Sequence, residues 1–552
     1  MKEQNKILEV NHLNTSFKTS EGETKAVIDL NFDLYPKEIL GIVGESGSGK
    51  SVSVLSLMKL LPLKRVLSKG QILFNGEDLN LLSEEEIRAF RGKRMAMIFQ
   101  EPMSSLNPTM KLGMQVGEML DLHTDLSKAQ IKQKVLDLFT KVKLPNPKRL
   151  YNAYPHQASG GQLQRVMIAM AISANPDILI ADEPTTALDV TVQKEILELI
   201  KSIQQESGTA TIFISHDLSL VRELCDRVIV MHQGEVVETG TVDEIFENPQ
   251  KAYTKGLIAC RPQQNFKLNR LPTVEDFIDG TVSTVEKQLR ERSEEVVLQV
   301  NNLKKYFPAK KNWLGKTIDY TKAVDDVSFS IRKGEILGLV GESGCGKSTL
   351  GKIVSRLLTP DYGEIIFEGN NVTKISGSEL RSFRKSVQMI FQDPYGSLNP
   401  RMKVGASILE PILSHQLLPK SQAKERVIEL LEQTGLTAEH AERYPHQFSG
   451  GQRQRISIAR ALSLNPKLLV CDESISALDV SVQAQIINLL LDLRDELGVT
   501  ILFIAHDLAA VRFISDQVAV MYNGKIVEKG KPDIVYNNPQ NEYTKKLLSA
   551  IQ

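Results

Sequence analysis

The chain has no apolar run approaching the roughly 18 residues needed to cross a bilayer. Its start, Met1-Lys2-Glu3-Gln4-Asn5-Lys6, lacks the apolar centre of a secretory leader, so any membrane role is expected to run through partners. Cysteine is scarce: Cys225, Cys260, Cys345 and Cys471 lie far apart, at spacings that match neither a disulfide framework nor a metal-ligand pattern. A reducing cytoplasm is the simplest setting. An excess of one charge is also missing, since 67 Lys and Arg face 67 Asp and Glu. That balance gives no support to a nucleic-acid partner, which usually meets a basic excess or stripe. Length is what the chain does have: 552 residues exceed a single core and suit two domains.

Gly44-Glu45-Ser46-Gly47-Ser48-Gly49-Lys50-Ser51 follows the apolar run Ile39-Leu40-Gly41-Ile42-Val43 and precedes a helical pattern from Val52 to Leu61. Strand, glycine-rich loop and helix in that order form a phosphate cradle: backbone N–H groups turn inward, and side chains at the glycine positions would obstruct them. In that chemistry Lys50 reaches the β- and γ-phosphates, and the Ser51 hydroxyl holds a magnesium ion bridging them. A single copy could be a Gly/Ser-rich turn before a helix. The chain spells it twice, however, with Gly341-Glu342-Ser343-Gly344-Cys345-Gly346-Lys347-Ser348 after Ile336-Leu337-Gly338-Leu339-Val340.

The duplication spans nearly the whole chain. Strand candidates Ile7-Leu8-Glu9-Val10 and Val297-Leu298-Gln299-Val300 open the two halves. Domains are expected over residues 1–262 and 295–552, with a linker at 263–294 that is polar, lacks long apolar periodicity and carries a possible short solvated helix at Thr284 to Arg292. The phosphate loops are offset by 297 positions, Gln100 and Gln392 by 292, and the later motifs by 290. Length changes therefore fall between motifs, as expected when loops vary and sites do not.

Gly70 to Gly76 and Gly363 to Gly369 read as a strand and turn. Ile98-Phe99-Gln100-Glu101-Pro102 and Ile390-Phe391-Gln392-Asp393-Pro394 each run a strand into a loop ending Ser-Leu-Asn-Pro. A Gln there can reach a metal or water at the carboxyl edge of a parallel sheet; read singly, it is equally an exposed strand end. Val116 to Leu144 and Val404 to Leu436 have helical periodicity, expected as a helical insertion. It ends in Ser159-Gly160-Gly161-Gln162 and Ser449-Gly450-Gly451-Gln452, either a second anion cradle at a helix N-terminus or simply an N-cap with flexible glycines. His156, His446, Arg165 and Arg455 read as structural.

The all-apolar strands Ile178 to Ala181 and Leu468 to Cys471 end in Asp182-Glu183 and Asp472-Glu473. Such a pair divides the labour: the Asp supports magnesium and the Glu polarises the attacking water. Ala187-Leu188-Asp189 and Ala477-Leu478-Asp479 follow, and then buried strands ending in His216 and His506, placed to contact a γ-phosphate.

Phosphate loop, Gln loop, Ser-Gly-Gly-Gln, Asp-Glu, Ala-Leu-Asp and terminal His, in order and twice, resemble the nucleotide-binding domains of ABC transporters. The resemblance implies an α/β fold: two tandem P-loop NTPase domains, each a RecA-like core with a helical subdomain and an antiparallel β subdomain. It implies ATP and magnesium as cofactors. It also implies a head-to-tail arrangement, in which Lys50 and Ser51 face Ser449-Gly450-Gly451-Gln452 while Lys347 and Ser348 face Ser159-Gly160-Gly161-Gln162, within one chain or between two. Family members place an aromatic ring over the adenine; Phe17 and Phe307 occupy matching places, with Tyr306 a rival. Both lysines, glutamates and histidines are present, so two hydrolytic sites are expected.

The Gly-Glu-Ser-Gly loops, the Ser-Leu-Asn-Pro loops and the endings Asn248-Pro249-Gln250, Tyr253-Thr254-Lys255 and Asn538-Pro539-Gln540, Tyr543-Thr544-Lys545 are similar to those of the peptide/nickel uptake group. That implies an importer ATPase at the cytoplasmic face of the inner membrane, serving oligopeptide, glutathione or peptide-antibiotic uptake. Its expected partners are two integral membrane permease subunits and a solute-binding protein. The cysteine cluster common in the group is absent, so no iron–sulfur centre is expected. The rival is a soluble tandem ABC ATPase acting on ribosomes, against which stand the short mixed linker and neutral charge balance.

Overall fold

The computed structural model describes residues 5–19, 22–62, 65–185, 190–261, 268–283, 285, 293–311, 317–475 and 478–549. The chain divides into two compact units, Met1–Ile258 with Val274–Thr281 and Ala259–Thr273 with Val282–Gln552.

The first unit carries strands β1 (Leu8–Thr19), β2 (Gly22–Leu34), β3 (Ile39–Val43), β4 (Val66–Phe74), β5 (Glu77–Asp78), β6 (Met95–Ile98), β7 (Ile178–Asp182), β8 (Ala210–Ile214), β9 (Arg227–His232) and β10 (Glu235–Thr241). They form an antiparallel sheet in the order β2-β1-β4-β5 and a six-stranded sheet in the order β10-β9-β3-β8-β7-β6. Within the larger sheet β6, β7, β8, β3 and β9 run parallel, and β10 closes the edge antiparallel. Every residue of β3, β7 and β8 is buried, which is why these strands read as continuous apolar runs rather than alternating ones.

The second unit repeats the plan with β11 (Val296–Lys311), β12 (Thr317–Arg332), β13 (Ile336–Val340), β14 (Tyr362–Phe367), β15 (Asn370–Asn371), β16 (Val387–Ile390), β17 (Leu468–Asp472), β18 (Thr500–Ile504), β19 (Gln517–Tyr522) and β20 (Lys525–Gly530). Its sheets are ordered β12-β11-β14-β15 and β16-β17-β18-β13-β19-β20.

In each unit the helix that follows the glycine-rich loop lies in the core. Val54 and Leu57 pack with Leu8, Val10, Ile72 and Phe74 of the antiparallel sheet and with Ile180, Ile212 and Ile229 of the parallel one. Full burial of each such side chain contributes about 1.5–3 kcal/mol, so the loop is anchored from both sides. The helical insertion consists of Leu112–His123 and Lys128–Lys141 in the first unit, and Val404–Ser414 and Lys420–Gln433 in the second. Leu112, Val116 and Leu120 recur every four residues along one face and bury it, as do Ile131, Val135, Leu138 and Phe139 on the neighbouring helix.

Two sequence expectations change. The first loop helix is Lys50–Leu57, ending at Met58 because Lys59 takes a left-handed conformation (φ 49°), rather than running from Val52 to Leu61. Strand β1 continues to Thr19 instead of stopping at Val10, past an irregularity between Asn11 and Asn14 where His12 has φ 52°. That bulge breaks the period of two on which a strand is recognised. Of the stretch Thr284 to Arg292, all but Val285 lies outside the described residues, as do Ala187-Leu188-Asp189 and Ala477.

The polar segment between the halves holds a short helix, Val274–Ile278. Leu271, buried, donates its N–H to Asn488 Oδ1 at 2.9 Å and accepts from Asn488 Nδ2 at 2.8 Å, and Arg270 pairs with Asp492 at 2.9 Å. These contacts bind Arg270 and Leu271 to helix Val480–Leu497 within the second unit. Replacing Asn488 with Leu strips two buried backbone groups of their partners, at roughly 1–3 kcal/mol each. Asn488→Leu is therefore expected to lower stability by roughly 2–6 kcal/mol in denaturant unfolding. An unchanged unfolding midpoint would contradict this.

Candidate functional site

The strand order sets the site. In the first unit β6, β7, β8 and β3 are neighbours, and Gln100, the Asp182-Glu183 pair, His216 and the glycine-rich loop lie at or just beyond their carboxyl ends. Four motifs far apart in sequence thus meet on one sheet edge, where parallel α/β sheets bind ligands.

The loop leaves β3 at Gly44 with φ 151°, and a Cβ there would sit 2.2 Å from Met231 O; Gly341 repeats this with φ 155° and Met521 O at 2.2 Å. Only glycine fits. Lys50 and Lys347 are buried at 5% and 3% exposure. Lys50 Nζ donates to Gly44 O at 2.8 Å and Glu45 O at 2.9 Å, and Lys347 Nζ to Gly341 O at 2.7 Å and Glu342 O at 3.0 Å. A buried ammonium is tolerated only with such partners. Ser46, Gly47 and Gly49, with Ser343, Gly344 and Gly346, complete the two loops.

The Ser51 hydroxyl donates to Asp182 Oδ1 at 3.0 Å, and Ser348 to Asp472 Oδ1 at 2.8 Å. Burial pushes Asp182 up to about 6, against the pull of the Ser51 hydrogen bond, and raises Asp472 likewise. Among the described residues no group of three or more His, Cys, Asp and Glu is placed to hold a metal unaided. A Ser–Asp pair does fit magnesium: it supplies hard oxygen donors, leaving the other positions to phosphate and water.

Glu183 and Glu473 follow with φ of 46° and 48°, a left-handed backbone that non-glycine residues rarely adopt. In the first unit one carboxylate oxygen, Glu183 Oε2, accepts from Gln100 Nε2 at 2.8 Å and lies 3.1 Å from His216 Nδ1. In the second, Glu473 Oε2 accepts from Gln392 Nε2 at 2.6 Å and stands 3.9 Å from His506 Nδ1. Burial lowers the His216 pKa, but the Glu183 hydrogen bond and charge outweigh it and the net shift is upward. The sequence expectation that each Gln, Glu and His serve one centre therefore corresponds to a single cluster in each unit.

The Ser-Gly-Gly-Gln motifs stand elsewhere, at the N-termini of helices Gly160–Ala171 and Gly450–Leu462. Ser159 Oγ accepts from Gln162 N–H while Gln162 Oε1 accepts from Ser159 N–H; Ser449 and Gln452 do the same. Both side chains thus cap their own helix. A Cβ on Gly161 would lie 2.8 Å from Val192 Cγ1, and one on Gly451 2.3 Å from Val482 Cγ1, so the second glycine is fixed by close packing as well as by any ligand. Arg165 and Arg455 brace these helices through Val142 O and Thr434 O, each at 2.8 Å. His156 and His446 stack on Tyr154 and Tyr444.

Phe17 pairs across the sheet with Thr24, and Phe307 with Thr321. Thr24 and Thr321 each lie two residues before the alanine whose carbonyl abuts Gly49 or Gly346, so the two rings hold equivalent places. Tyr306 pairs with Lys322, and its hydroxyl donates to Asp325 Oδ1 at 2.5 Å.

Two contacts had no counterpart in the sequence reading. Glu45 N–H donates to Tyr253 Oη at 3.3 Å, and Glu342 N–H to Tyr543 Oη at 3.0 Å. The duplicated Tyr-Thr-Lys endings were the available signal.

Asp182 yields a pH prediction. Its carboxyl titrates near 3.8 when unfolded and near about 6 in the fold, so the native state holds the extra proton between those values. The stability it contributes is complete at low pH and is lost as pH rises through that window. Asp182→Asn, neutral throughout, is expected to raise the Tm of the nucleotide-free protein at about pH 8, by an amount worth roughly 1–3 kcal/mol, with little difference at about pH 4. Scanning calorimetry at both values checks this, and a lower Tm at the higher pH would contradict it.

The family model described as ABC transporter matches residues 27–186 and 324–476, and that described as oligopeptide/dipeptide transporter, C-terminal region, matches 237–280. The chain is 46% identical to the glutathione import ATP-binding protein GsiA of Pectobacterium atrosepticum, over 99% of this chain and 90% of that protein. It is 48% identical to the protein of the same name from Escherichia coli strain K12 and from Escherichia coli O157:H7, over 99% of this chain and 89% of each. The chain belongs to the ABC transporter family, as an ATP-hydrolysing subunit with two nucleotide-binding domains in one polypeptide.

Proposed function

We propose that this chain powers the import of glutathione or related short peptides through separate membrane permeases. The observation that carries this is the duplicated cluster in which Gln and His converge on one glutamate oxygen beside a buried lysine and a Ser–Asp pair. The near full-length likeness to glutathione import ATP-binding proteins supports the choice of solute.

In this reading Lys50 and Lys347 hold the β- and γ-phosphates of ATP. Ser51, Asp182 and Gln100, and Ser348, Asp472 and Gln392, would hold magnesium, which would screen the phosphate charge. Glu183 and Glu473 accept the proton of the attacking water, while His216 and His506 contact the γ-phosphate. Phe17 and Phe307 stack on adenine. Each site would be completed by another domain's signature, Ser449-Gly450-Gly451-Gln452 for the first and Ser159-Gly160-Gly161-Gln162 for the second, supplied within one chain or by a second copy. The domains are taken as residues 1–262 and 295–552, and the segment between them, 263–294, divides between the two compact units, its part up to Thr273 falling in the second and Val274–Thr281 in the first. Closure over ATP and reopening after hydrolysis do work only when coupled to inward and outward states of a permease.

No helix among the described residues is long and apolar enough to cross a membrane. Two permease subunits would supply the channel, a solute-binding protein would deliver the cargo, and the chain would sit peripherally on the cytoplasmic face.

Glu183→Gln and Glu473→Gln preserve shape but cannot accept a proton. Each alone is expected to cut steady-state ATP turnover at least about tenfold, given the 10²–10⁴ typical of a general base, while leaving MgATP affinity within about twofold. Full turnover in one variant would remove that site from the catalytic account. The transport assignment is tested by affinity purification of the tagged chain in mild detergent, followed by uptake of labelled glutathione in proteoliposomes. Two permeases and glutathione uptake are expected. Ribosomal proteins without a permease would overturn it.

A further inference from the structure

The nucleotide reading leaves unused the most regular feature of the chain's two endings. Asn248-Pro249-Gln250 and Asn538-Pro539-Gln540 are each gripped by a carboxylate from the edge strand. Glu238 accepts the Gln250 and Lys251 N–H groups at 2.8 and 3.2 Å, and Glu528 those of Gln540 and Asn541 at 2.8 and 3.1 Å. Gln250 Nε2 and Gln540 Nε2 close the turn onto Asn248 O and Asn538 O. The turn delivers helices Ala252–Ala259 and Glu542–Ser549, each with a tyrosine in its first turn.

Those tyrosines reach the phosphate loops. Tyr253 Oη accepts Glu45 N–H, and Tyr543 Oη accepts Glu342 N–H. The peptide that carries Glu45 N–H also carries Gly44 O, and a trans peptide points these groups in opposite directions. Tyrosine therefore holds one end of the peptide while the other end, Gly44 O or Gly341 O, accepts from Lys50 or Lys347. The adjoining glycines sit at φ 151° and 155°, so the peptide's tilt is not set by an ordinary backbone preference. The ring partners differ: Tyr253 packs on His232 at 4.2 Å between centroids and Tyr543 on Tyr522 at 4.1 Å. What both halves keep is the hydroxyl contact.

We propose that Tyr253 and Tyr543 are positioning residues for the phosphate-loop lysines, fixing the Gly44–Glu45 and Gly341–Glu342 peptides so that each lysine is presented to the nucleotide phosphates. The Asn-Pro-Gln and Tyr-Thr-Lys endings are thereby mechanically tied to ATP binding in each half. The inference rests on the ATP-binding role of Lys50 and Lys347.

The test removes the two hydroxyls and keeps the rings, as Tyr253→Phe, Tyr543→Phe and the double variant in the full chain. Kd for MgATP is read by titration calorimetry, KM and kcat by phosphate release, and exchange of the loop amides by hydrogen–deuterium mass spectrometry. Losing one hydrogen bond that orients a ligand-binding group is expected to raise Kd and KM about 2- to 10-fold per site, with kcat within about twofold. The Glu45 and Glu342 peptides should exchange faster while Tm stays put. Unchanged KM and Kd, or a fall in Tm with KM unchanged, would reduce the tyrosines to packing residues and overturn the proposal. Lys50→Ala with Lys347→Ala separates the two claims. If these lysine variants lose MgATP and the phenylalanine variants do not, the positioning proposal alone falls; if the lysine variants bind MgATP normally, the nucleotide reading fails and takes the proposal with it.

Discussion

One buried ammonium group in each half constrains it more than any other feature. Lys50 and Lys347 lie almost wholly out of water, held by the carbonyls of the loops they belong to. A cation in such surroundings is tolerated only against oriented dipoles or an anion, so the loop must keep its shape whether or not phosphate is present. That requirement accounts for glycines where a Cβ would strike backbone and for a helix clamped between two sheets, and an acid reaches the same helix from the end of β7 or β17, two strands along the sheet.

Strain and charge gather at the same edge. Glu183 and Glu473 sit in left-handed backbone, which costs of order 1 kcal/mol or more and survives because the flanking strands over-determine it. Asp182 carries its proton well above the usual carboxylate range because burial outweighs the Ser51 hydrogen bond. A divalent cation held by Ser51 and Asp182 would oppose the effect of burial and favour the ionised carboxylate.

Most of this was legible in the sequence, for reasons that differ by element. The buried strands β3, β7 and β8 and their copies in the second unit read directly, because strands covered on both faces show unbroken apolar runs and duplication removed the ambiguity of each short motif. Gln100, Glu183 and His216 were legible individually. Their convergence on one oxygen follows from strand order, which local patterns do not encode. Strand β1 was read too short because a bulge at His12 disrupts its alternation. The grip of Asn488 on Leu271 is not readable from the sequence, and the tyrosine contacts to the phosphate loops are signalled only by the duplicated Tyr-Thr-Lys endings, since both join positions about two hundred residues apart. Ser159 and Gln162 were rightly placed at a helix start, but their mutual capping emerges only from geometry.

The central claim is that one chain carries two complete nucleotide centres. It is tested most directly by counting MgATP bound at saturation to the full chain with Glu183 and Glu473 both changed to Gln, which blocks turnover without removing a phosphate-binding group. Two nucleotides per chain are expected from the matched Lys–Ser–Asp geometry of the halves. One per chain, with the second loop empty at any ATP concentration, would contradict the account.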